Sequence, residues 1–253
     1  MRTLLSLTVA LTAAAALTGI AAEPPKLPAI PEQSIAKKKE LLFSDDFSSA
    51  TPDKRWHRVV DTFKIENGML KGTQTRVKDE PSKDGKSIIT AHAAVYGLEL
   101  PTKDTVVECR IKLDGASLVD VEFDDRAYKG AHYGHLCRAQ VRTNGIVILD
   151  ERDGTQNEEI KELKKDPTKK DEVAKRMKGK TITYPAKVES GVWHNLVVET
   201  VGESMRVVLD GKPVAFLKSS GIGHATKSKL EFGTSGQSGY FDDIKIWNAE
   251  PAK

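Results

Sequence analysis

An antiparallel all-β sandwich or jelly roll, with one charged helical insertion, is predicted for this chain of 253 residues. Three observations predict it. Apolar and polar residues alternate with period two in many short runs from Leu41 onward, as half-buried strands do. Asx-Gly and Ser-Gly pairs punctuate those runs at Asn67-Gly68, Asp114-Gly115, Asn144-Gly145, Asp210-Gly211 and Ser238-Gly239, where hairpin turns are expected. Only one gap, near 155–180, is long enough to hold helices, so a parallel sheet built from helical crossovers is excluded.

The chain opens with Met1-Arg2-Thr3, an uncharged run from Leu4 to Ile20, and Ala21-Ala22 before Glu23-Pro24-Pro25. This is the form of a secretory signal peptide over 1–21, the alternative being an uncleaved anchor. The expected product is secreted or periplasmic, with no stable membrane insertion after cleavage. Residues 22–40, rich in proline and carrying Lys37-Lys38-Lys39, read as a linker. The sandwich is assigned to 41–248 and a tail to 249–253.

Within the sandwich, Val106, Val107, Cys109, Ile111 and Leu113 alternate with Glu108, Arg110 and Lys112. Val119, Val121 and Phe123 alternate with Asp120, Glu122 and Asp124, and Cys137, Ala139 and Val141 with Arg138, Gln140 and Arg142. If Asp114-Gly115 is a tight turn, these form a three-stranded meander with a row of carboxylates between two rows of bases. That order places Cys109 and Cys137 on outer strands, about 9–10 Å apart, too far for a disulfide, so two separate buried thiols are expected. Thr155 to Lys180 is rich in charged helix formers and split by Pro167, which reads as two short solvated helices, either decorative or functional.

Composition narrows the function. A net charge of +3, from 39 bases and 36 acids, with no dense basic tract argues against a dedicated nucleic-acid binder. Two cysteines exclude a disulfide scaffold and a multi-cysteine zinc module. No G-x-S-x-G elbow, phosphate-binding loop, dinucleotide fingerprint or H-E-x-x-H occurs. The charged ladder has two readings. One is cross-strand ion pairing on a solvated sheet face. The other is a sugar site in which Asp120, Glu122 and Asp124 act as acid or base, while Arg110, Arg138, Arg142 and Tyr133 hold substrate. No cofactor or metal is expected. The alternative is a divalent ion near His132, His135 and Asp125, although His135 falls in the core-facing alternation of Cys137 and Ala139. His57, His92 and His224 have no evident partners in the sequence.

Four stretches, taken together, resemble concanavalin A-like jelly rolls, the laminin G-like and glucanase superfamily. They are Leu42–Phe47, Phe63–Leu70, Gly191–Leu196 with Val208–Val214, and Phe241–Trp247, in which Trp193 and Trp247 are expected in the core. The nearest member is similar to the 3-keto-disaccharide hydrolase domain of exported bacterial proteins. The resemblance implies a carbohydrate or glycoside as partner and hydrolysis or elimination at a modified (3-keto) glycoside. The alternatives are a non-catalytic binding or adhesion module and a structural one. Laminarinase-type hydrolases carry an E-x-D-x-x-E strand. Here Asp120-Val121-Glu122-Phe123-Asp124-Asp125 lacks the leading and trailing glutamates, so that mechanism is not carried over.

Overall fold

A computed structural model describes residues 27–49, 51–59 and 62–253; the expected signal peptide lies outside them. Fifteen strands occur among the described residues: β1 (Ala36–Asp45), β2 (Trp56–Arg58), β3 (Phe63–Glu66), β4 (Met69–Gly72), β5 (Glu80–Pro81), β6 (Ile88–Ile89), β7 (Ala94–Thr102), β8 (Thr105–Asp124), β9 (His135–Arg142), β10 (Gly145–Asp150), β11 (Thr181–Pro185), β12 (Trp193–Val201), β13 (Ser204–Leu209), β14 (Lys212–Lys218) and β15 (Lys227–Pro251). All named pairings are antiparallel. The architecture is the expected jelly-roll β-sandwich.

Two strands of unusual length organise it. β8 and β15 pair along almost their whole extent, from Asp124 opposite Lys229 to Thr105 opposite Asn248. Asp114-Gly115 is therefore a bend inside one continuous strand, not the hairpin turn the sequence suggests, and Ser238-Gly239 is likewise within β15. The register slips between Ser235 and Ser238, opposite Asp114–Ala116. Gly115 and Gly236 take φ of +79° and +95° there, and a Cβ on Gly236 would meet the Gly115 carbonyl oxygen at 2.9 Å. Extra residues and left-handed glycines bend both strands together, as β-bulges do.

Beyond the bend, each half joins a different layer. The 118–124 half of β8 lies between β9 and the first half of β15, in the order β11-β10-β9-β8-β15-β7-β2. The 105–112 half lies between β12 and the second half of β15, giving β14-β13-β12-β8-β15, with β4 and β1 pairing along the far side of β15. Leu98, Val121, Phe123, Ala139, Ile148 and Phe232 from the first layer join Phe43, Ile111, Val198, Val207 and Phe241 from the second in one core. Phe232 meets Phe241 edge-on at 5.4 Å, and Trp56 stacks on Tyr96 at 4.8 Å.

The boundaries extend beyond those expected. β1 begins at Ala36 inside the assigned linker, and β15 runs to Pro251, where Ala36 pairs with it. The preceding residues are also tied down: the Arg206 guanidinium donates to the carbonyls of Pro31 and Glu32, and Glu199 accepts from Ser34 and the Ile35 amide. The insertion is helical at Glu158–Leu163 and Lys170–Met177, capped by Asn157 and broken at Pro167. Among the described residues no helix is long and apolar enough to cross a membrane.

Cys109 and Cys137 are separate buried thiols, as expected, although the reason differs: they lie in different layers rather than on outer strands of one meander. Burial pushes the Cys137 thiol up to about 12 and the Cys109 thiol higher still. A thiol-reactive dye should therefore label neither cysteine in the native protein and both after denaturation without reductant; no labelling of the denatured chain would mean a disulfide.

Candidate functional site

Strand periodicity delivers three carboxylates to the outer face of the first layer. Val119, Val121 and Phe123 enter the core, so Asp120, Glu122 and Asp124 must point the other way. They are nevertheless only 4%, 3% and 0% exposed, because long basic side chains lie over them. Glu122 stands between Arg138 on β9 and Glu231 on β15, Asp120 between Gln140 and Gly233, and Asp124 between His135 and Lys229. Asp120 reaches its place because residue 233 has no side chain; a Cβ there would lie 2.0 Å from its Oδ1.

Arg138 holds the group together. Its guanidinium donates to Glu122 Oε1 at 2.7 Å, to Asp120 Oδ2 at 3.3 Å and to Glu151 Oε2 at 2.8 Å. His135 Nδ1 lies 2.6 Å from Glu122 Oε1 and 3.0 Å from Asp124 Oδ1. Lys229 Nζ lies 2.9 Å from Asp124 Oδ2 and also contacts Glu231. Five carboxylates thus share three basic groups.

That imbalance separates the titrations. Burial raises Glu122 well above the ordinary carboxylate range, against the pull of Arg138, and burial also raises Asp120. For Asp124 burial is outweighed by His135 and Lys229, and its pKa falls. For His135 burial is outweighed by Asp124 and Glu122, which push it up to about 11. Glu122 is thus pushed up and Asp124 down, within one hydrogen-bonded group.

The other expected residues are only partly gathered here. Arg142 is exposed and donates to Gln140, not to a carboxylate. Arg110, with Glu108 and Lys112, lies on the outer face of the second layer, because the bend separates the two halves of β8; Arg110 pairs with Asp242 at 3.2 Å and Asp243 at 3.5 Å. Trp193 and Trp247 are half-buried on that same outer face rather than in the core. Tyr133 is at the rim of the carboxylate group, 80% exposed, with its ring 4.3 Å from His132 and 6.4 Å from His135. It takes φ of +50°, a left-handed conformation that costs a non-glycine residue about 1–3 kcal/mol and persists only where the surroundings impose it. The insertion imposes it: the His132 amide donates to the Gln156 carbonyl, the Glu158 amide to that of Gly130, and Ala131 bridges Asn157.

The set His132, His135 and Asp125 does not form. His132 faces Glu158 at 3.4 Å, and Asp125 accepts from Thr226 and lies beside His224. Glu122, Asp124 and His135 do converge, one potential ligand atom from each within 4.8 Å of the others, but Arg138 and Lys229 already supply the positive charge there. His135 faces the polar side rather than the core, because a register shift between Phe123 and Asp124 sets it opposite Asp124. Lys229, Glu231 and Glu151 were missed by sequence reasoning. The alternation of Lys229 and Glu231 with Leu230 and Phe232 was a usable signal; Glu151, in the turn after β10, had none.

No protein-family model matches the chain, and neither does any curated protein. Solved structures do. LamA from Zobellia galactanivorans, in complex with laminaritriose and laminaritetraose, has a TM-score of 0.56 at 15% identity over 84% of this chain and 100% of that one. Porphyranase B from the same organism has 0.56 at 10% identity over 89% and 97%. SCLam, a non-specific endo-β-1,3(4)-glucanase from family GH16, has 0.58 at 11% identity over 89% and 98%. At such identities the likeness is one of fold. The chain shares the concanavalin A-like jelly roll of these glycoside hydrolases.

Two outcomes follow from the network. Arg138→Ala leaves buried carboxylates without their cation and should cost about 3–5 kcal/mol in denaturant unfolding, whereas Arg110→Ala, removing a half-exposed pair, should cost about 0–1 kcal/mol. His135 has a folded pKa above its ordinary 6.5, so its charge stabilises fully below pH 6.5, and that contribution disappears as pH rises towards about 11. Unfolding measured between those limits should show a decline in stability that His135→Gln makes shallower.

Proposed function

We propose that this chain is an exported carbohydrate-binding jelly roll, with its sugar site on the outer face of the first layer around Glu122, His135 and Arg138 and with Tyr133 as the stacking platform at the rim. The observation that carries this reading is Tyr133: an aromatic ring held out to solvent in a strained conformation beside a network of planar hydrogen-bonding groups. Sugar rings present an apolar CH face to an aromatic and hydroxyls to imidazole and guanidinium groups, and beside Tyr133 the partly exposed His135 and Arg138 offer the latter. The occurrence of the fold in glucan-degrading enzymes supports the reading. Arg138, His135 and Lys229 roof the carboxylates, which favours binding over bond cleavage. Export rests on the N-terminal sequence.

A second reading has its own support. Glu122 is pushed up while Asp124 is pushed down, the separation by which an acid and a base are distinguished. In that reading Glu122 donates a proton and Asp124 accepts one, and the substrate class implied by the sequence resemblance is a 3-keto-glycoside.

A glycan array, with laminarin-type glucans and 3-keto-glycosides incubated in parallel, separates the two. Binding is expected, with Tyr133→Ala weakening it several-fold, as an aromatic contact of about 0.5–1.5 kcal/mol would, at unchanged melting temperature. Turnover abolished by Glu122→Gln would establish the catalytic reading instead. Neither binding nor turnover would leave a structural protein.

A further inference from the structure

The outer face of the second layer carries a different arrangement. Strand register places Trp193 on β12 opposite Lys112 on β8, Lys112 opposite Tyr240 on β15, Tyr240 opposite Lys71 on β4, and Lys71 opposite Lys64 on β3. One row across five strands therefore reads aromatic, lysine, aromatic, lysine, lysine. The Lys112 ammonium sits 4.2 Å from the Tyr240 ring centre and 5.3 Å from that of Trp193; Lys71 sits 5.4 Å from Tyr240; Arg110, one row along, sits 4.7 Å from Trp193. Rings fix where these cations stand.

Their charge is not matched. Among the described residues Lys112 has no carboxylate partner, and Lys64 and Lys71 share the single carboxylate of Glu66. Three ammonium groups against one acid leave the row itself at +2, and with Arg110 and its two acids, Asp242 and Asp243, the patch stays at +1. This contrasts with the first layer, where carboxylates outnumber bases. The opposite end of the same face is covered by the segment around Pro31 and Glu32, but Lys64 at the row's end is 65% exposed.

From this we infer that the row is a second binding surface, for an acidic polysaccharide bearing uronate or sulfate groups. Lys112 and Lys71 stand two strands apart, about 10 Å, so the complementary ligand carries repeated charge along an extended chain rather than a single compact anion. Half-buried Trp193, next to exposed Val192, adds apolar surface for a sugar ring. A nucleic acid fits less well, since a chain of net charge +3 with three lysines in the row offers little to a polymer carrying one charge per about 1.7 Å. The surface shares no residue with the Tyr133 site and does not depend on it.

The test is binding of the full chain to polygalacturonate and dextran sulfate, with neutral laminarin and dextran alongside, by affinity electrophoresis and calorimetry. Polygalacturonate and dextran sulfate should both bind, more weakly as salt rises, and the double variant Lys71→Gln/Lys112→Gln should weaken them about tenfold or more while any laminarin binding persists. Lys64→Gln, at the most exposed position, should weaken them in the same direction with an unchanged melting temperature. No binding to either polyanion, equal binding by the double variant with its melting temperature retained, or tighter binding to a single-stranded oligonucleotide or phosphatidylserine vesicles would overturn the proposal. Laminarin results bear only on the Tyr133 site, so failure of one reading is distinguishable from failure of the other.

Discussion

The continuous pairing of β8 with β15 is the constraint from which the rest of the molecule follows. A strand puts alternate residues on opposite faces, and a strand shared by two layers does so twice, once on each side of its bend. In β8 the odd-numbered residues from Val107 to Leu113 and from Val119 to Phe123 enter one core. The even-numbered residues are consequently sent to the two outer surfaces of the sandwich. Glu108, Arg110 and Lys112 go to one; Asp120, Glu122 and Asp124 go to the other. Without the slip around Gly115 and Gly236 the strand pair would stay in a single layer, and neither outer face would have its present neighbours.

The two faces solve the problem of strand charges differently. On the first, acids on β8 and β15 are interleaved with Arg138, His135 and Lys229, and the whole group is drawn out of water. Burying charges costs energy that direct pairing must offset, and losing one member leaves the others uncompensated. Such a network tolerates little substitution, and burial, with Asp124 and Glu151 nearby, pushes Glu122 up. On the second face Lys112 rests on two aromatic rings with no carboxylate partner among the described residues, while Lys71 and Arg110 combine a ring contact with pairing to Glu66 and to Asp242 and Asp243.

Much of this was legible in residue order. The alternation in 107–113, 119–124 and 137–141 separated core-facing from outward-facing positions, although the outward carboxylates of 120–124 are buried rather than solvated, and Pro167 divided the insertion. What could not be read was where Asp114-Gly115 leads. The same dipeptide serves a two-residue hairpin and a bulge, and only the partner strand decides between them. That one ambiguity moved Arg110 to the wrong face and gave the thiols the wrong geometric reason for staying apart. His135 was misplaced by a smaller effect of the same kind: a shift of one residue in register reverses the face of a side chain. Trp193 and Trp247, expected in the core from the motifs of the resemblance, share strand parity with Asn195 and Lys245, which points outward.

The insertion shows how a charged, weakly hydrophobic segment can still shape a site. Its neck is closed where the Asp150 amide donates to the Lys180 carbonyl, joining the residue before the insertion to the one that ends it. The buried Asp150 carboxylate then accepts from the Asp153 amide at 2.9 Å, the Gly221 amide at 3.0 Å, Lys180 Nζ at 3.0 Å and the Ser219 hydroxyl. One carboxylate thus ties both ends of the insertion to the 219–221 loop. With the neck fixed, the helices need little core of their own; Ile160 is the one side chain of Glu158–Leu163 that is buried. The segment 154–158 is held firmly enough to pin residues 130–132 through backbone hydrogen bonds. The strain at Tyr133 is therefore sustained from outside its own loop: Asp150 anchors the insertion, the insertion anchors the loop, and the loop presents the ring beside the Glu122 network.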